Sequence, residues 1–307
     1  MASLNNNDLS ISPAGQAILT TIIYSDIFSF PLTKEELWHF LISKKKISRV
    51  EFERSLLLLK KQVIFKDGYF SLFGREAIIP RREKNLSEVA KKIQQAQRIA
   101  EKLRVIPSIV FIGVSGGVAV GNAEKKDDID LVFITKKNTL FTTRLLILFI
   151  LELFGVRRKR RQKDTADTIC ANLLFDETAL SWFKNFQDIY TAREIAQLLP
   201  LFERKSIYRK FVFENRWVEK FLPNAAFTSP TVSKNSQSDF EKIIAFIFIN
   251  SVCEFFARTL QKRWMRGHQT REIVKKNVLA FHPIDYRLKI LKQLRLKMRQ
   301  FGLLTNF

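Results

Sequence analysis

Apolar residues recur at steps of three and four from Ile18 through Leu19, Ile22 and Ile23 to Ile27, which predicts a helix. "TKEE" from Thr33 and "SRVE" from Ser48 each set a hydroxyl residue three places before a glutamate and ahead of an apolar run. That is the capping-box spacing, and it predicts two more short helices. "VIFKDGYFSLF" follows, two β-prone runs joined by Asp67-Gly68, the dipeptide of a type I′ hairpin. Leu86, Val89, Ile93, Ala96, Ala100 and Leu103 then share one face of a helix from Glu83 to Arg104, which Pro107 stops. "SIVFI" reads as a strand, Ile129 to Ile134 as a second, Thr139 to Phe154 as a helix ended by Gly155, and Ile169 to Phe175 as a third strand. From about Leu180 the spacing turns helical, ending in a basic helix near Leu288 to Phe301, with a polar loop expected from Asn224 to Asp239.

This order implies a mixed α+β chain in several parts. Residues 14–82 resemble a winged-helix domain, residues 83–104 form a linking helix, residues 105–180 hold a small sheet with helices, and residues 181–307 form a helical, basic region. A winged helix often reads DNA with its third helix, here Ser48 to Lys61. Glu51 and Glu53 stand beside Arg49 and Arg54 there. Such mixed charge favours packing or protein contact over DNA reading.

Charge alters the picture more than size does. The 307 residues suffice for two or three domains, and a hydrophobic content of 46% with 28 Phe supports a folded core. A formal net charge of +22 attracts polyanions whatever the fold. About half of that excess falls between Arg258 and Arg299, where thirteen Lys or Arg face only Glu272 and Asp285. The run "RRKRRQK", residues 157–163, reads as a solvated loop that could also meet a phosphate-bearing partner.

Cys170 and Cys253 are isolated and three His are scattered, leaving no disulfide framework and no zinc-ligand spacing. Both cysteines read as buried apolar fillers, and His282 as structural. No apolar run approaches the roughly 20 residues of a membrane span, and the first residues lack a signal-peptide pattern. A cytoplasmic protein without membrane contact is the expectation.

The candidate chemistry lies in "FIGVSGGVAVGNAEKKDDIDLVFIT", residues 111–135. In a strand, residues i and i+2 point to one side, so Asp128 and Asp130 project together, roughly 6 to 7 Å apart. Two carboxylates that close repel each other and resist desolvation. Magnesium answers both problems, as a hard cation that takes oxygen ligands and shares its sphere with phosphates. Gly113, Gly116, Gly117 and Gly121 let the backbone turn and approach an anion. Asp127 has no matching role and reads as exposed.

A glycine pair, a short helix ending at Gly121 and then "DDIDL" resemble the signature of the DNA polymerase β-like nucleotidyltransferase superfamily over about residues 105–180. The resemblance implies that Gly116 and Gly117 hold nucleotide phosphates, with Ser115 supplying a hydroxyl, and that Asp128 and Asp130 bind two magnesium ions. The family pattern adds a third carboxylate on the next strand. Here the matching inward residue is read as Asn172, which coordinates metal weakly and cannot act as a base, while Asp167 and Asp176 flank the strand.

The implied activity is transfer of a nucleoside monophosphate from a nucleoside triphosphate to a hydroxyl acceptor. The basic tail suggests an acceptor or partner that carries phosphates, such as nucleic acid. The rival expectations are a nucleic-acid-binding regulator with a weakened nucleotide-binding site, and an antitoxin-like partner of another protein.

Overall fold

The computed structural model describes residues 11–159, 162–225, 227, 251–266, 273–281 and 286–303. They form a mixed α+β chain with two sheets. The expectations for His282, for most of the Asn224 to Asp239 loop and for part of the 157–163 run fall outside the described residues. The chain divides into two compact units, one holding residues 1–80, 219–225 and 290–307 and the other residues 81–218 and 226–289.

In the first unit the order is α1 (Pro13–Asp26), β1 (Leu32–Thr33), α2 (Lys34–His39), α3 (Arg49–Leu58), β2 (Val63–Lys66) and β3 (Tyr69–Leu72). Both expected capping boxes are present, Thr33 with Glu36 and Ser48 with Glu51. Each satisfies helix-end amides that have no intrahelical acceptor. Asp67 and Gly68 take φ of 50° and 84°, the positive pair a type I′ turn needs, so β2 and β3 pair antiparallel. Strand β1 completes the sheet in the order β1-β3-β2. The end of the last helix belongs to this unit, burying Ile290, Leu294 and Met298. Its Lys297 and Arg75 both pair with the buried Asp26.

The second unit is built on a six-stranded sheet in the order β7-β4-β5-β6-β9-β8. Its strands are β4 (Ile109–Ser115), β5 (Ile129–Thr135), β6 (Ile169–Asp176), β7 (Leu199–Glu203), β8 (Ile273–Val274) and β9 (Val278–Ala280). Only β5 and β6 run parallel, joined through α6 (Leu140–Leu153), and α5 (Gly116–Val120) links β4 to β5. Strands β7, β8 and β9 come from residues 181–307, so this region is not purely helical as the sequence suggested. β8 and β9 are two and three residues long, too short to carry an alternating pattern of their own.

Alternation along the strands sends Ile129, Leu131 and Phe133 to one face of the sheet. There they join Ala96, Ala100 and Leu103 of α4 (Ile79–Leu103), Ile147 and Leu151 of α6, and Ala257 of α9 (Ser251–Arg266) in one core. Glu254 of α9 caps α6, accepting from the backbone N–H of Phe141 at 3.0 Å and of Thr142 at 2.9 Å. The opposite face carries Asp130, Val132 and Phe111, with Phe111 stacked on Tyr208 of α8 (Ile207–Glu214) at 5.3 Å. The candidate site lies on this second face.

Candidate functional site

Strand β4 ends at Ser115, paired in register with Asp130 of β5. The chain then turns at Gly116, whose φ of +64° lies in the left-handed region. A β-carbon there would stand 3.0 Å from Asp130 Oδ2. A residue with a side chain would therefore crowd the carboxylate, which would have to shift by a few tenths of an ångström, and would strain the turn. Gly117 is exposed, and Gly121 closes α5 with φ of +80°. Ser115 makes no cap hydrogen bond to α5.

On β6 the residue opposite Asp130 is Cys170. The ligating atoms of Asp128, Asp130 and Cys170 all lie within 4.8 Å of one another. Asn172, the residue expected in the third position, is elsewhere. Leu131 pairs with Ala171 and Val132 with Leu173, so Asn172 is the extra residue of a bulge. It is buried, and its carbonyl accepts from Phe281 N–H at 2.9 Å. The bulge reverses the facing of everything after it, which reading by eye across an apolar strand does not reveal.

The flanking acids do other work. Asp176 lies six residues beyond Cys170, about 20 Å along the strand. Its carboxylate holds a turn, accepting from Thr178 N–H at 2.7 Å and Asn138 N–H at 3.2 Å. Asp167 pairs with Lys92 of α4 at 2.8 Å. Lys92 is itself fully buried, and its Nζ also donates to the carbonyls of Asp127 at 2.7 Å and Lys125 at 3.1 Å. That side chain fixes the loop leading into Asp128. Asp127 is half-buried, and its own carboxylate accepts from Glu124 N–H at 2.8 Å.

Arg158, from the basic run, pairs with Asp128. This leaves Asp130 to carry the electrostatic strain of the site. Burial, and then the charge of Asp128, push its carboxyl up to about 7, with Arg158 opposing. Burial pushes the Cys170 thiol up to about 12, so it stays protonated at neutral pH. Two hard oxygen donors and one soft sulfur make the side-chain set.

Beside this cluster opens a cavity of about 360 Å³. Ser115, Val132 and Leu173 join it to the acids, and Phe175, Trp182, Phe186, Tyr190, Phe211 and Tyr286 give it an aromatic wall. Its polar groups are Ser115, Thr191, Glu194 and Arg287. Glu194 lies on α7 (Ile189–Ala196), and burial pushes its carboxyl up to about 7. Sequence reading missed it, because one glutamate in an amphipathic helix gives no signal until the sheet behind it is known.

Fold and site together define an α+β protein in which a glycine turn and a pair of carboxylates border an aromatic cavity. No protein-family model, no curated protein and no solved structure matches the chain. Among the described residues no helix is long and apolar enough to cross a membrane.

Proposed function

We propose that the protein binds a nucleoside triphosphate with magnesium and transfers the nucleoside monophosphate to a hydroxyl acceptor. The observation that carries this reading is the seating of Asp130 against the bare Gly116, with Asp128 beside it. A close turn that leaves room for phosphate adjoins two carboxylates that lack enough positive charge. The donor set fits a hard divalent ion, since burial and mutual repulsion leave Asp130 poorly ionised without a cation. Asp128 and Asp130 would hold it. Sulfur is a poor ligand for such an ion, so the side chains fit one magnesium better than two.

Bound there, the ion would neutralise charge on the transferred phosphate. The acceptor oxygen forms a bond to the α-phosphorus, the bond to the leaving oxygen breaks, pyrophosphate departs, and the hydroxyl proton is lost to water. Gly116 and Gly117 give the phosphates access to the backbone. Arg158 lies where it can leave Asp128 for a phosphate oxygen, a bidentate exchange that suits a guanidinium.

A second reading is favoured by Cys170. Its protonated thiol takes the place where the resembled superfamily has a third carboxylate, and it cannot accept the hydroxyl proton. A site so composed would retain nucleotide and turn it over slowly, as a nucleotide-dependent regulator does. The first unit supports contact with protein rather than DNA: its winged-helix-like order exposes Val50, Leu57 and Leu58 on α3.

Incubation with α-labelled nucleoside triphosphates, magnesium and mixed acceptors tests both. Label transferred by the natural chain and lost in Asp128→Asn and Asp130→Asn supports the transferase. Magnesium-dependent binding without transfer supports the regulator. Binding and transfer that ignore both substitutions would sink the shared site.

A further inference from the structure

A chain of net charge +22 would be expected to draw in anionic ligands, yet the aromatic cavity has the opposite polarity. Arg287 Nη1 donates to Asp188 at 2.7 Å, and its guanidinium lies 4.8 Å from the Phe186 ring centre, so its charge is already matched. Glu194 is different. It lines the cavity, and its carboxylate makes no hydrogen bond or salt bridge with any described residue; the positive group that acts on it is its neighbour Arg193, which does not line the cavity. Next to it, Asp128 and Asp130 have one guanidinium between them. The unmatched charge of the described lining is thus negative and is set among aromatic rings.

We infer that this cavity binds an organic amine, a flat apolar body carrying an ammonium group that pairs with Glu194 between aromatic faces. A half-buried, desolvated carboxylate without a hydrogen-bond donor is destabilising, and an ammonium relieves it directly. Ring faces such as those of Trp182 and Tyr190 add attraction for a cation. A volume of about 360 Å³ suits a small molecule and is too confined for a nucleic-acid strand. Ser115 lines the cavity and pairs in register with Asp130, so a hydroxyl on the far end of such an amine would face the acids. Its role as the acceptor pocket rests on the transferase reading; the ligand class does not.

Three indoles of similar shape test the charge preference by calorimetry on the full chain, without nucleotide or magnesium: tryptamine, the neutral tryptophol and the anionic indole-3-acetate. Tryptamine should bind at least tenfold more tightly than tryptophol, and indole-3-acetate should not bind. Glu194→Gln, which keeps the shape of the side chain, should reduce tryptamine to the level of tryptophol. Equal binding of acid and amine, no binding of tryptamine, or tryptamine binding unchanged in Glu194→Gln would each overturn the inference. The wild-type series decides even if the variant fails to fold. Amine binding by the natural chain alongside absent label transfer from that same chain would remove the transferase reading and leave this one standing.

Discussion

Asp130 Oδ2 rests against Gly116 so closely that a β-carbon on the glycine would stand 3.0 Å away, on a backbone already at φ +64°. Gly121 has a similar left-handed backbone, at φ +80°, but open space around it. Alanine at Gly121 should therefore show the conformational penalty alone, about 1 to 2 kcal/mol. Alanine at Gly116 should add displacement of the carboxylate. Urea unfolding should show both variants destabilised, and only Gly116→Ala should also lose magnesium-dependent nucleotide binding.

Asp130 and Glu194 should make stability depend on pH in an unusual direction. Both carboxyls are pushed to about 7 in the folded chain, whereas unfolded carboxylates titrate near about 4. Between those values the folded chain holds protons that the unfolded chain has released. Their contribution is complete below about pH 4 and is lost as pH rises through about 7, on the order of a few kcal/mol in total. Compared with Asp130→Asn/Glu194→Gln, the natural chain should lose melting temperature across this window. Magnesium should restore more of it at pH 8 than at pH 5.

Lys92 holds two carbonyls and a carboxylate from a fully buried position. Lys92→Met keeps the length of the side chain but leaves those acceptors unpaired, which should cost about 2 to 4 kcal/mol. Because the loop it secures leads into Asp128, nucleotide binding should weaken as well, measured at a temperature where the variant remains folded.

Arg158 pairs with Asp128, so under the proposed function it would compete with a metal ion for that carboxylate. Arg158→Gln should strengthen binding of magnesium alone by roughly three- to tenfold and weaken binding of the triphosphate, since the same guanidinium is then missing for phosphate. Titration with each ligand separately would reveal the opposite signs. A loss of both affinities would argue that Arg158 only supports the loop.

If the third position matters for turnover, Cys170→Asp should raise the rate of label transfer and Asn172→Asp should not. The comparison is sharp because the two residues lie two apart on one strand, and only Cys170 is opposite Asp130.

Local chemistry made much of this legible in advance. Thr33 with Glu36, Ser48 with Glu51, and Asp67 with Gly68 act within four residues, so their helices and hairpin could be read directly. The glycine turn and the two aspartates were equally local. What escaped depends on distant partners. Lys92 sits among lysines and glutamines that read as a solvated helix face, and only the loop 33 to 35 residues later, with Asp167 75 residues later, makes it a buried anchor. Strand β7 exists because β4 offers it an edge, and Glu194 gains its setting only once the cavity closes around it.

The bulge at Asn172 reaches further than its own position. Cys170 before it and Leu173 and Phe175 after it face the same way, although alternation in an unbroken strand would place Cys170 and Leu173 on opposite sides. One surplus residue thus joins a polar end and a greasy wall along a single side of β6. Loss of that residue would leave every amino acid around it unchanged yet turn Leu173 and Phe175 toward α6 and Leu174 toward the cavity. In the history of such a chain, a single-codon deletion here would be more disruptive than most substitutions, and diverging copies would be expected to vary in what occupies position 172 before they vary in whether it is there.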